Sequence, residues 1–168
     1  PHGINIHAAL CSEPMSLHYT NDAGTAVQGF VEFMAPDFLR KWHPRLYRNA
    51  SLIAELPVVQ CVPLKSILRQ MAVTRIDLWI LDTEGSELSV LQGVDFKEVS
   101  ISTIIMECDQ HDNSKNQKKL DLLSGNGFAC ELLMRNCMCT NRDFTPTAAP
   151  VKSEIKIDAG VRKPWPSQ

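Results

Sequence analysis

Hydrophobic and polar positions follow two different rhythms along this chain. Residues 4–10, Ile4-Asn5-Ile6-His7-Ala8-Ala9-Leu10, form a mainly apolar run and predict a buried strand. Residues 15–19 alternate apolar and polar side chains, the period of a half-buried strand. Residues 21–24, Asn21-Asp22-Ala23-Gly24, read as a turn. Residues 25–57 give no clean period. Phe30 to Phe33 is apolar enough to order, and Trp42-His43-Pro44 reads as loop or short helix. The rhythm sharpens after Pro57. A strand is predicted over 58–62, and a short helix over 64–68 with Leu64, Ile67 and Leu68 on one face. Residues 76–81, Ile76-Asp77-Leu78-Trp79-Ile80-Leu81, form a near-continuous apolar run, as in a parallel strand covered on both faces. A helix is predicted over 84–92, closed by Gly93. Another buried strand spans 102–106. A helix over 115–124 starts at a cap offered by Asp112, Asn113 or Ser114 and stops at Gly125-Asn126-Gly127. Residues 128–134 and 138–144 can pair as a hairpin across Arg135-Asn136-Cys137.

Strands alternating with helices define an α/β domain with a mostly parallel sheet and a C-terminal antiparallel hairpin. Residues 1–144 form that domain. Residues 145–168 carry Pro146, Pro150, Pro164 and Pro166 and read as a mobile tail, with Ile155 and Ile157 able to add a transient strand. There is no internal repeat.

Composition narrows the function classes. The 168 residues are 44% hydrophobic and 21% charged, which is the range of a globular domain rather than a disordered chain. The net charge of -2 removes the usual electrostatic case for nucleic acid. No apolar run is long enough to span a bilayer. The stretch has no signal-peptide pattern, and the absence of a starting Met points to a processed chain or a fragment. Cys11, Cys61, Cys108, Cys130, Cys137 and Cys139 lie largely in apolar surroundings and read as free core thiols, which fits a reducing, cytoplasmic compartment. Cys137-Met138-Cys139 lacks a second ligand pair, so no metal site is expected there.

Candidate chemistry gathers at two strand ends, where open parallel sheets bind ligands. Asp82-Thr83-Glu84-Gly85 follows the strand ending at Leu81. Glu107-Cys108-Asp109-Gln110-His111 follows the strand ending at Met106. If these strands are neighbours, their carboxylates and the His111 imidazole converge. Asp82 stands directly after apolar strand residues, where a carboxylate is costly unless it has a partner. Glu84 and Glu107 are functional candidates on similar grounds. Glu87 reads as a structural carboxylate in the first turn of a helix, and His111 as a solvated loop residue. Gly85 reads as a packing or tight-turn glycine. His7 and Trp79 read as core residues, and Lys118-Lys119 as a solvated helix face. No glycine-rich phosphate loop, GxSxG elbow or HExxH pair occurs.

Residues 76–93, Ile76-Asp77-Leu78-Trp79-Ile80-Leu81-Asp82-Thr83-Glu84-Gly85-Ser86-Glu87-Leu88-Ser89-Val90-Leu91-Gln92-Gly93, resemble the signature of the FkbM-family methyltransferases. That signature is an apolar strand, D-x-E-G-x-E, and a short helix closing on L-x-G. The flanks agree in order. Residues 58–68 resemble the family's strand and Leu-Asp-x-Leu segment, with Lys65 in place of the Asp. Residues 102–107 resemble its next strand with terminal Glu, residues 120–128 its helix before Gly-Phe/Tyr, and Ala8-Ala9-Leu10-Cys11 its third strand. The resemblance spans about residues 4–144. It implies a class I, Rossmann-like α/β sheet and S-adenosylmethionine-dependent O-methylation of a small-molecule or glycan hydroxyl. It places Asp82 beside the cofactor's reactive end, and Glu84 in the site or as acceptor of the substrate proton. Glu107 joins them as a catalytic candidate, and Ala9 and Leu10 line the adenine pocket. The family's first two strands come before the third and have no counterpart in these residues. Residues 76–81 are therefore expected to form an open apolar edge, with a gap beside residues 4–10. The chain by itself is expected to fold poorly or bind the cofactor weakly. Two further readings stand beside this one. One is a non-catalytic interaction module that retains the fold's C-terminal half. The other is a Mg²⁺- or Mn²⁺-assisted enzyme using Asp82, Glu84, Glu107 and Asp109.

Overall fold

In the computed structural model, residues 3–21, 24–108 and 112–145 are described. Strands and helices alternate, but the strands divide into two sheets. The first joins β1 (Ala9–Leu10), β2 (Met15–His18) and β3 (Val58–Val62) in the order β1-β3-β2. β1 runs parallel to β3, with Ala9 opposite Cys61, and β2 runs antiparallel to it. The second holds β4 (Arg75–Leu81), β5 (Ser100–Glu107), β6 (Phe128–Leu133) and β7 (Asn136–Asn141) in the order β4-β5-β7-β6. β4 and β5 are parallel neighbours, which brings Leu81 opposite Met106 and sets Asp82 and Glu107 at the same end of the sheet. β6 and β7 form the expected hairpin. Its turn is Met134-Arg135, with Leu133 pairing Asn136, so it comes earlier than the hydrophobic pattern suggested. Met134 takes a positive φ of 59°, which lets a two-residue turn match the strand twist.

Helices α1 (Pro36–Trp42), α2 (Pro44–Arg48), α3 (Leu64–Gln70), α4 (Glu87–Gln92) and α5 (Asn113–Gly125) connect and cover the sheets. The aperiodic region 25–57 resolves into α1, α2 and three 3-10 segments. Proline opens both α1 and α2, at the position where its missing N–H costs nothing. Asp112 caps α5 by accepting from the Lys115 backbone N–H at 2.8 Å. The main core packs Leu81, Leu91, Ile101, Ile104, Met106, Leu123 and Phe128 between the second sheet and its helices, and Trp79 packs against it. A smaller cluster of Cys11, Leu17 and Cys61 lies under the first sheet. The two parts meet closely at Gly93. A Cβ there would fall 2.3 Å from the Cys11 carbonyl oxygen, so only glycine lets α4 end against the strand.

Several expectations are corrected. The strand over 4–10 shrinks to Ala9–Leu10, because only these residues find a partner strand. Ile4 and Ile6 are 76% and 51% exposed. β4 is covered on one face only. It is an edge strand, as the resemblance implied, and Leu78 and Ile80 are 55% and 68% exposed. The six cysteines are not free thiols. They form Cys11–Cys61, Cys108–Cys137 and Cys130–Cys139 disulfides. Burial among apolar neighbours suits a paired cysteine as well as a thiol, and strand pairing brings each pair within reach: Cys130 lies opposite Cys139 in the β6–β7 ladder. The reading of a reducing compartment loses its basis with them. His7 is exposed rather than core. The proline-rich stretch, with Ile155 and Ile157, lies outside the described residues apart from Thr145.

Candidate functional site

The centre of the site is the turn that follows β4. Helix α4 begins at Glu87 rather than at residue 84, because Glu84 and Gly85 take positive φ values of 50° and 102°. For Glu84 this left-handed conformation costs roughly 1–2 kcal/mol. Such strain persists only where surrounding contacts hold it, and it concentrates at functional turns. Gly85 has a second reason to be glycine: a Cβ there would meet the Phe33 carbonyl oxygen at 3.0 Å.

Glu87 holds this turn from beneath. Its side chain is 2% exposed. Its Oε1 accepts from the Thr83 N–H at 3.0 Å, the Thr83 hydroxyl at 3.0 Å and the Gly85 N–H at 3.1 Å. Ionised acceptors make such bonds strong. The structural role read for Glu87 is what the geometry gives it.

Two lysines of α5, one helical turn apart, reach the same turn. Lys115 donates to the backbone carbonyls of Phe33 and Gly85, tying residues 30–35 to the turn. Lys119 is 2% exposed. Its Nζ donates to the Glu107 carbonyl at 2.6 Å and lies 3.8 Å from Glu87 Oε2. The solvated-face reading of Lys118-Lys119 is therefore wrong for Lys119. The i, i+4 spacing of Lys115 and Lys119 was the available signal: both point inward from one helix face, while Lys118 is exposed.

Asp82, Glu87 and Glu107 each offer a carboxylate oxygen within 4.8 Å of the others. The sheet thus brings Asp82 and Glu107 together as the strand order required. The buried Lys119 ammonium, 3.8 Å from Glu87 Oε2, offsets charge in this cluster. Asp109 and His111 lie outside the described residues.

Above the turn is a cavity of about 500 Å³. Ala9 and Leu10 form one wall with His7, while Tyr19 and Phe30 form another. Asp82, Thr83 and Glu84 close the third side. Four of the five site residues read from the sequence, namely Ala9, Leu10, Asp82 and Glu84, line this one space. Glu107 does not line it and joins the site through the acidic cluster. Sequence reading missed Tyr19 and Phe30, whose rings meet edge to face at 5.6 Å across the bridge between residues 19 and 30. A second cavity of about 420 Å³ lies at the other end of β4 and β5, between α3 and residues 95–99. Its main polar feature is Arg69, forked onto Glu98 at 2.6 and 2.8 Å. The hydrogen bond and charge of Glu98 raise the guanidinium pKa further above its ordinary value.

A carboxylate-bearing turn at the carboxyl end of a parallel strand, opening on a cavity, is the ligand-site layout of a mixed α/β enzyme domain. The family model described as the methyltransferase FkbM domain matches residues 3–137, and the chain belongs to that methyltransferase family. No curated protein and no solved structure matches the chain.

Proposed function

We propose that this protein is an S-adenosylmethionine-dependent O-methyltransferase whose cofactor occupies the cavity between β1 and the turn after β4. The supporting observation is that Ala9, Leu10, Asp82 and Glu84 line one space of about 500 Å³. That volume lies inside the roughly 300–1,000 Å³ range of small-molecule sites. The lining also suits the group, with apolar wall on the β1 side and an exposed carboxylate, Asp82, at the turn.

When bound, S-adenosylmethionine supplies an electrophilic methyl group on a cationic sulfonium. Ala9 and Leu10 present apolar surface to the adenine ring. Asp82 favours positive charge at the reactive end. Glu84, projected from the left-handed turn, would accept the proton that the acceptor hydroxyl gives up. Glu107 would add negative charge to the acidic edge beside Asp82. Methyl transfer is a displacement that depends mainly on alignment. The Glu87 and Lys115 hydrogen bonds to the turn supply that rigidity. The acceptor is a hydroxyl of a small molecule or a glycan, and no nucleic acid is involved.

We read the two sheets as parts of one class I sheet, with further strands seated between β1 and β4. The open β4 edge and the exposed Leu78 and Ile80 support this reading. Residues 1–144 are then part of the catalytic domain. Lys119 argues against the Mg²⁺ or Mn²⁺ alternative, since such cations take oxygen ligands and an ammonium already lies beside Glu87.

The test is transfer of labelled methyl from S-adenosylmethionine to hydroxyl acceptors by the natural-length protein. Glu84→Gln is expected to slow transfer while cofactor binding is kept. Failure of the wild type to bind the cofactor would replace this reading with the interaction-module reading.

A further inference from the structure

The sequence holds one Asn-x-Ser/Thr triplet, Asn49-Ala50-Ser51. We propose that Asn49 is an N-glycosylation site and that this domain matures in an oxidising, secretory compartment. The proposal is independent of the methyl-transfer reading. A triplet by itself recurs by chance, and two separate observations give this one meaning.

The first is local. Asn49 lies between α2 and the 3-10 segment Ala50–Glu55, with an extended backbone at φ -139° and ψ 90°. Residues 47–51 are all exposed, so a bulky glycan meets no packed neighbour. The Asn49 Oδ1 accepts from the Ser51 N–H at 3.2 Å and from the Ser51 hydroxyl at 2.7 Å. The triplet's own hydroxyl thus fixes the carboxamide through its oxygen. The nitrogen, Nδ2, makes no hydrogen bond to any described residue and stays available as the reacting atom.

The second observation is the state of the cysteines. All six are paired, and none is free. The pairs tie β1 to β3, the end of β5 to β7, and β6 to β7, so they belong to the framework of both sheets. Disulfides of this kind form and persist in secretory and extracellular compartments and are rare in the cytosol. N-linked glycans are added in the same secretory route to exposed triplets. In the reaction, Nδ2 forms a bond to the anomeric carbon of an oligosaccharide carried on a lipid diphosphate. The carbon–oxygen bond to the diphosphate breaks, the lipid diphosphate leaves with the electron pair, and the amide proton passes to a base of the transferring enzyme.

The experiment is peptide mapping of the natural protein isolated from its source cells, alkylated before and after reduction and then treated with a peptide-N-glycosidase. The expected result has no cysteine alkylated before reduction. The Asn49 peptide is then recovered only after glycosidase treatment, as the deamidated form. Ser51→Ala, expressed in the same cells, keeps the backbone N–H that bonds Oδ1 and is expected to lose the glycan; Ser51→Thr is expected to retain it. An unmodified Asn49 peptide in the natural protein overturns the proposal, as does a glycan that survives Ser51→Ala.

Discussion

Replacing Lys119 with methionine keeps the aliphatic stem and deletes the ammonium beneath the turn after β4. Two groups lose a contact. The Glu107 carbonyl loses a donor at 2.6 Å, and Glu87 Oε2 loses the cation at 3.8 Å. Glu87 is 2% exposed and cannot regain hydration without opening the site. Removing one member of a buried ion pair costs about 3–5 kcal/mol, a large share of the roughly 5–15 kcal/mol that holds a domain together. At about 2–4 °C per kcal/mol for a chain of this size, the melting temperature falls by roughly 6–20 °C. Glu87→Gln keeps an acceptor for Thr83 and Gly85 but turns an amide NH₂ toward the ammonium. Combining Glu87→Gln with Lys119→Met removes that clash, so the double variant is less destabilised than the sum of the singles by roughly 1–3 kcal/mol. Urea denaturation of the four proteins measures the cycle. Additivity within about 0.5 kcal/mol, or a Lys119→Met variant as stable as the wild type, would refute the coupling of α5 to the turn.

Other expectations follow from single contacts. Gly93→Ala puts a Cβ against the Cys11 carbonyl, a backbone atom that cannot swing away. It should cost about 1–3 kcal/mol, read as a lower urea midpoint at unchanged slope. Asp112→Ala removes the α5 cap and should cost about 1 kcal/mol. A loss below a few tenths of a kcal/mol would show that the cap contributes nothing. The disulfides close separations of 50, 29 and 9 residues. Loop-closure entropy then assigns them about 4, 3.6 and 2.6 kcal/mol. Full reduction is expected to unfold the domain at physiological temperature, followed by loss of far-ultraviolet circular dichroism. A reduced chain that still melts cooperatively near the oxidised midpoint would contradict this.

Much of the second sheet was legible in the chain. Its strands are apolar runs of adequate length, and its helix stops are glycines that no other residue replaces easily. The signature over residues 76–93 carried the family, which the family match over residues 3–137 supports independently. What escaped the reading has physical causes. Periodicity reports which residues are apolar, not whether a neighbour exists to cover them. Ile4 and Ile6 therefore read as buried yet stand exposed, and for Leu78 and Ile80 only the family resemblance, not the periodicity, pointed to the open edge on which they lie. A cysteine in an apolar setting looks the same whether paired or free, and only the strand register shows that Cys130 faces Cys139. Lys119 looked solvated because lysine usually is. Its burial depends on Glu87 and Glu107, which arrive from other elements. The start of α4 was misplaced because a left-handed Glu84 leaves no mark in the hydrophobic pattern.

The most direct measurement is equilibrium binding of labelled S-adenosylmethionine to the natural-length protein, wild type and Asp82→Asn, with the melting temperature of each recorded. Asp82 is exposed and stands within 4.8 Å of two other carboxylates, so neutralising it relieves repulsion and leaves the fold intact. The account predicts saturable binding at one site per chain, weakened roughly tenfold or more by Asp82→Asn, the equivalent of at least about 1.4 kcal/mol, at an undiminished melting temperature. No binding by the wild type, or equal binding by both proteins, would contradict it.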